Sequence, residues 1–405
     1  MGFEGVIINR ADNGLEKGTT ADRVCALVAG VKEGGRLEQY TPVELLQVED
    51  LENLGITAET DIANKALIHY HVSEFFRLSP ATSLWLIAVP ADSTVSALAG
   101  SDPLKAAIRS IENVNTLAFA SCTADETLQA AVSAAQLLVD GFMAEHIYID
   151  ALLLEGTGNY LTGEIAAYPD LRTMEAPDVS VVIAHDPAIA ASHEAPAHAA
   201  IGAALGMLAV RAVHENLGSV DIESKPRNRR GEQDYSLTDT KRSLWLDAAL
   251  SNGRRFCSLT GADQKKLDTL GYIYAGQFAG YGGFFFSNSH TATDAGSDYA
   301  FIERNAVWNK AARTIRATLI PRVRSQVEAD PSTGYIRSTT LSDWDARVRS
   351  SLEKLVAARN ISDFDIYIAP DQLAVSNDPF NIQVRLVANG VVHEFEIDLG
   401  FTNKI

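Results

Sequence analysis

The 405-residue sequence predicts an α/β domain built on a mostly parallel sheet, followed by a smaller α+β module. Two patterns carry that prediction. Between about residues 24 and 220, short runs of continuous apolar character alternate with stretches of helical spacing. Strands covered on both faces by crossover helices read this way. After about residue 299 the pattern becomes two long helices and then strands of period two.

Taken in order, "VCALVAG" (24–30) reads as a buried strand, and "DIANKALIHYHVSEFFRLSP" (61–80) as a helix ending at Pro80. "LWLIAVP" (84–90) is a strand. "DPLKAAIRSIEN" (102–113) is a helix with Asp102 as N-cap before Pro103. "LAFAS" (117–121) is a strand, and 123–146 a helix in which Thr123 and Glu126 have capping-box spacing. Strands at 147–156 and 179–186 follow, then a long helix after Pro196. That helix holds the most apolar stretch, 197–213, interrupted by His198 and Arg211. Gly202 and Gly206 lie four apart, the spacing that lets helices approach closely, so it reads as a buried helix and not a membrane span.

The second module opens with a charged loop (228–236) and a short aromatic strand within 281–298. A helix over 299–327 is interrupted at Pro321, and a second covers 341–360 with Ser342 as N-cap. "DFDIYIA" (363–369) is a strand. The last 25 residues (381–405) read as a hairpin turning at Asn389-Gly390. Ile382, Val384 and Leu386 alternate with polar neighbours before the turn; Phe395, Ile397 and Leu399 alternate with Glu394, Glu396 and Asp398 after it. Little chain follows to cover the last edge, and open edges invite another strand. At the other end, "GVIINR" (5–10) is a short strand containing Val6, Ile7 and Ile8, set off by "ADNGLEKGTT" (11–20).

A net charge of −18 argues against general binding to nucleic acid or to an anionic membrane surface. Cys25, Cys122 and Cys257 are widely spaced and give no disulfide framework, which fits a reducing compartment. The first residues lack the basic start and apolar core of a secretory leader.

Motifs for chemistry are sparse. His193, Glu194 and His198 imitate a zinc-protease helix, but the histidines are five apart with Pro196 between them. His69 and His71 are two apart and point to different sides of a helix. The glycine-rich stretches 156–164 and 276–284 match neither phosphate-binding spacing and read as turns. Cys122 follows a strand and precedes a helix, a position open to a nucleophile or a buried thiol. No metal and no cofactor is expected. Residues 299–327 carry six basic residues and one acidic residue; Lys310, Arg313 and Arg316 form a basic stripe, read either as a solvated helix face or as a docking surface for an acidic partner.

The C-terminal third resembles the contractile tail sheath proteins of phages, phage-tail-like bacteriocins and contractile injection systems. The resemblance lies in the order of "WNKAARTIRATLIPRV" (308–323), "DWDARVRSSLEKLVAARNI" (343–361), "FDIYIAP" (364–370) and "FNIQVRLVANGVVHEFEIDLGF" (380–401). Upstream, "PVELLQVEDLENLGI" (42–56) and "HYHVSEFFRLSPATSLWLIAVP" (69–90) are similar to the sheath pattern of a short element, a helix and a strand with Trp. The resemblance implies a minimal two-domain sheath subunit and no enzymatic activity. Its parts would be an N-terminal arm (1–20), an outer α/β domain (21–275), an α+β sheath core with tube-facing helices (276–370) and a C-terminal hairpin arm (371–405). It implies stacked hexameric rings around an inner tube, with baseplate and cap proteins as further partners. Assembly would take place in a bacterial cytoplasm, with no nucleic acid and no membrane insertion. Strand addition between copies would use Val6, Ile7, Ile8, Val384, Leu386, Phe395, Ile397 and Leu399. Lys310, Arg313 and Arg316 would face the tube, and the joints 11–20 and 371–379 would absorb rotation on contraction. An α/β enzyme with a pocket at the strand ends near Cys122 or Asp186 is the competing reading. Another self-assembling tail component, such as a baseplate subunit, is a third.

Overall fold

The computed structural model describes residues 22–32, 36–122, 125–195, 197–220, 235–375, 379–397 and 399–401. The predicted strand at Val6–Ile8 and most of the charged loop at 228–236 lie outside them.

The chain enters a six-stranded sheet at β1 (Cys25–Val31). The other members are β2 (Pro42–Leu45), β3 (Leu84–Pro90), β4 (Thr116–Ala120), β5 (Ala151–Glu155) and β6 (Val179–Val182), in the order β2-β3-β1-β4-β5-β6. All pairings are parallel except β2 with β3. β1 sits in the middle, Cys25 opposite Leu84 on one side and Thr116 on the other. Its alternate residues serve two cores. Cys25, Leu27 and Ala29 share a core with α1 (Val48–Asn53), α3 (Ile68–Leu78) and, later in the chain, the helix Ile201–Val210, while α2 (Ala58–Asn64) packs on α3. Ala26 and Val28 face α4 (Val95–Gly100), α5 (Asp102–Ser110) and α6 (Leu128–Ala144). Burial on both sides is why these strands read as unbroken apolar runs.

After the sheet come β7 (Ala184–His185), α7 (Pro187–Ser192), α8 (Ile201–Val210), β8 (Ala249–Leu250) and α9 (Gly261–Leu270). β9 (Ala275–Gly276) and β10 (Phe285–Phe286) follow, and Phe286 and Ala292 are buried in the two cores of the α/β domain. The glycine spacing in α8 has the predicted use. A Cβ on Gly202 would lie 2.2 Å from the His71 carbonyl oxygen, and one on Gly206 2.9 Å from the Phe75 Cα, so α8 packs backbone to backbone on α3. Among the described residues no helix is long and apolar enough to cross a membrane.

The C-terminal core comprises α10 (Ile302–Leu319), α11 (Ser338–Ala357), β11 (Ile361–Ile368) and β12 (Ile382–Ala388). Val307 and Ala311 of α10 pack on Val348, Leu352 and Leu355 of α11 and on Ile361 and Ile366 of β11.

Several predicted elements shift, each for a local reason. The helix expected over 61–80 is two helices, because Lys65 takes a left-handed conformation (φ 51°) and the Asp61 carboxylate accepts the Ile68 and Tyr70 amides at the start of α3. Ser101, not Asp102, caps α5, its hydroxyl accepting the Leu104 amide. α6 starts five residues later than expected, at Leu128, with Thr127 as cap. Glu126 instead accepts the Val95 and Ser96 amides at the start of α4, and Thr123 lies outside the described residues. The strand over 147–156 is confined to 151–155, since the carbonyls of Tyr148 and Ile149 accept side-chain donors from α10. α10 ends at Leu319 in a 3-10 turn carrying Pro321, well short of 327. α11 starts at Ser338, leaving Ser342 inside the helix. The largest correction is at the C-terminus. β12 pairs antiparallel with β11, Ile382 opposite Ile368 and Ala388 opposite Ile361, but residues 391–397 form no strand. The Asn389 side chain donates to the Arg359 carbonyl and accepts from the Ser362 hydroxyl, so the expected turn residue ties down the end of the β-pair and the chain leads away.

Candidate assembly surface

β11 and β12 form a two-stranded sheet, so among the described residues β12 has one edge without a partner strand. Its residues alternate. Ile382, Val384 and Leu386 are half-buried toward the helices, while Gln383, Arg385 and Val387 face out. Trp308, Ala311, Ile315 and Leu319 of α10, together with Ile382 and Leu386 of β12, line an open apolar groove of about 900 Å³. Trp308 keeps 40% of its surface exposed. An edge with free N–H and C=O groups beside an apolar floor is the geometry that accepts a further strand.

The segment after β12 has matching chemistry. Phe395 is 80% exposed, Ile397 79% and Leu399 95%, and Phe401 is fully exposed. No described residue covers them. The root of the segment is held: the His393 ring stacks on Phe301 at 5.1 Å, and Phe301 in turn contacts His290.

The opposite face of α10 fastens the C-terminal core to the α/β domain. Asn305, Asn309 and Arg313 stand at i, i+4 and i+8 and so share one face. Asn305 donates to the Pro177 carbonyl, Asn309 to the Ile149 carbonyl at 2.9 Å, and Arg313 to the Tyr148 carbonyl at 3.0 Å. The Arg313 guanidinium also grips both oxygens of Asp150, at 2.8 and 3.1 Å. Asp150 is fully buried; burial pushes its carboxyl above the usual range and Arg313 opposes that shift. Lys310 reaches the Asp22 carboxylate at 2.7 Å. Of the three basic residues expected to face a tube, two therefore have partners within the chain. Arg316 alone of the three is exposed. The polar stripe of Asn305 and Asn309 escaped the sequence reading, which followed only charge; two asparagines four apart in a helix are its signal.

A second concavity, about 230 Å³, lies at the carboxyl ends of β1, β4 and β5, beside Gly30, Cys122, Glu155 and Tyr160. This is where the competing enzyme reading places a pocket. Burial pushes the Cys122 thiol up to about 12, far from a thiolate at neutral pH. Both Glu155 oxygens accept backbone amides, from Ser121 and Ala199. Asp186 caps α7 and accepts the Trp245 amide. These groups hold the fold. Among the described residues no three His, Cys, Asp or Glu are placed to hold a metal. Glu194 pairs with Lys65, His69 with Glu52, and His198 and His71 are buried.

Solved structures of contractile sheaths share this architecture. The chain superposes on the helical sheath of the anti-feeding prophage in its contracted state with a TM-score of 0.63, at 16% identity, over 100% of both chains. Against the PVC sheath complex of an extracellular contractile injection system, in its contracted state, the TM-score is 0.59 at 14% identity, over 100% of this chain and 98% of that one. A sheath tail protein from Desulfitobacterium hafniense gives 0.51 at 12% identity, over 95% of this chain and 100% of that one. The fold is that of a contractile tail sheath protein. The DUF2586 N-terminal domain family matches residues 3–290 and the DUF2586 C-terminal domain family matches residues 298–405. The chain belongs to the DUF2586 family. No match is found among curated proteins.

Proposed function

We propose that this protein is the structural subunit of a contractile sheath, and that copies join by adding strands to one another's C-terminal sheets. The observation that carries the reading is the free edge of β12 beside an apolar groove, in a chain whose following segment exposes Phe395, Ile397 and Leu399. Seating those three side chains in a neighbour's groove stabilises the contact by about 1.5–3 kcal/mol each before ordering costs. Main-chain hydrogen bonds fix the register without fixing the angle between the attached bodies. Rings of subunits linked this way can rotate and repack while staying connected. The subunits stack as hexameric rings around an inner tube, and contraction drives the tube through a target envelope. Val6, Ile7 and Ile8 supply a second exchanged strand. Arg316 is the docking point for an acidic tube surface. Baseplate and cap proteins close the two ends, and the particle is assembled in a bacterial cytoplasm. The α10 stripe lets each subunit move as one piece, because force reaching β12 through an arm passes by way of Asn309 and Arg313 into β5.

The test is polymerisation of the purified chain with paired arm substitutions. Phe395→Asp with Leu399→Asp changes only exposed positions, so the expected result is a folded monomer that no longer polymerises. A double variant that polymerises like the parent protein would count against strand addition by this segment.

A further inference from the structure

Three histidines from separate elements meet around the first turn of α8. His71 comes from α3, His185 from β7 and His198 from the turn leading into α8, and all three are buried. The rings of His185 and His198 lie 4.3 Å apart, and Tyr70 sits edge-on to His198 at 6.0 Å. Their hydrogen bonds fix where each proton lies. His71 Nδ1 accepts the Gly202 amide at 3.4 Å, so its Nε2 carries the hydrogen, and that atom has no partner. His198 Nδ1 donates to the Ala195 carbonyl at 2.7 Å, leaving a bare, enclosed Nε2. His185 Nδ1 donates to the His198 carbonyl at 2.9 Å.

We propose that this cluster is an acid-sensitive latch between α3 and α8. A proton arriving at His71 Nδ1 removes the acceptor of the Gly202 amide at the point where the two helix backbones touch. A proton on His198 Nε2 creates a donor with no acceptor, beside a second imidazole and next to the positive end of α8. Because Gly202 leaves no space against the His71 backbone, the helices relieve the charge by separating.

The neighbouring charges do not neutralise that proton, since each is already occupied. On α3, Glu74 is bound by Arg77 and by the Trp245 indole. Asp61 accepts the Ile68 and Tyr70 amides, and the Tyr70 hydroxyl is buried without a partner. From β5, Glu155 accepts two backbone amides; from the β7 side, Asp186 caps α7.

Sign and window follow from the burial of the rings, which lowers the proton affinity of all three, His71 to about 3. An opened segment restores the ordinary value near 6.5. The latch is therefore complete above that pH and weakens steadily below it. At pH 5 the opening equilibrium rises about 30-fold through His71 alone, and further through His185 and His198.

The experiment is hydrogen exchange on the full chain at pH 7.5 and 5, corrected for the intrinsic pH dependence, following peptides from α3 and α8. The expected result is a selective loss of protection in these two helices at pH 5, reduced at least tenfold in His71→Gln/His198→Gln. Unchanged protection in α3 and α8 overturns the proposal, as does an equal loss across the sheet. If the variant does not fold, imidazole NMR of the parent chain decides. Three of the nine histidines should stay neutral until the pH at which α8 loses protection. Ordinary titration of His71, His185 and His198 near 6.5, with α8 still protected, overturns it.

Discussion

Replacing Arg313 with Met tests whether this residue is an internal fastener. The side chain keeps its length along α10 but loses the grip on Asp150 and the donation to the Tyr148 carbonyl. Asp150 has no exposure, so no water takes over. Breaking one side of a buried ion pair costs about 3–5 kcal/mol. An abandoned Asp150 limits that cost by binding a proton, since burial already pushes its carboxyl above the usual range. Arg23, the other nearby cation, is buried without a hydrogen-bond partner and lacks the two-pronged contact. The assay is urea unfolding of the soluble chain at pH 7, followed by far-ultraviolet circular dichroism. The expected result is a loss of about 4 kcal/mol for Arg313→Met. Asp150→Leu/Arg313→Met should recover most of it, because a well-packed apolar pair removes both desolvation costs. A single variant within 1 kcal/mol of the parent, or a double variant no better than the single, would falsify the reasoning and free Arg313 for an external partner.

Other outcomes follow from the same geometry. Gly202→Ala forces a methyl group into the His71 carbonyl, so it should destabilise the α/β domain by about 3 kcal/mol or more, read as a lowered melting temperature; an unshifted transition would mean α3 and α8 are less closely packed than described. Iodoacetamide at pH 8 should label the exposed Cys257 rapidly, while Cys122 and the buried Cys25, their thiols both pushed up to about 12, react only after unfolding; fast labelling of Cys122 in the folded chain would reopen the enzyme reading. Arg316→Glu should leave stability within about 0.5 kcal/mol, because the residue is exposed, and should weaken binding to a tube protein at low salt; undiminished binding removes its assigned role.

The parallel sheet was legible because β1, β3, β4 and β5 are buried on both faces and read as unbroken apolar runs. The small-residue spacing of α8 was legible for the same reason, since close packing leaves few residue choices. What escaped was decided by tertiary partners. Thr123 and Glu126 have the spacing of a capping box, yet Glu126 caps a helix 31 residues earlier in the chain. The basic stripe on α10 was visible, but no sequence pattern reveals that Arg313 closes on Asp150, 163 residues away. Asn389-Gly390 is a strong hairpin signal, and the alternation after it is that of a strand. The turn is absent because Asn389 binds the start of β11, and the strand-like alternation beyond has no partner strand among the described residues. That mismatch between a strand-forming sequence and an unpaired segment is what motivates the proposal that the partner is another copy.

The central claim is that copies assemble through this segment and the edge of β12. Negative-stain electron microscopy of the purified chain at high concentration, with and without residues 391–405, addresses it most directly. The account predicts hollow cylinders of stacked rings from the full chain and folded monomers from the truncated one. Cylinders that persist after truncation would contradict the claim, and so would a full chain that stays monomeric even with a tube protein present.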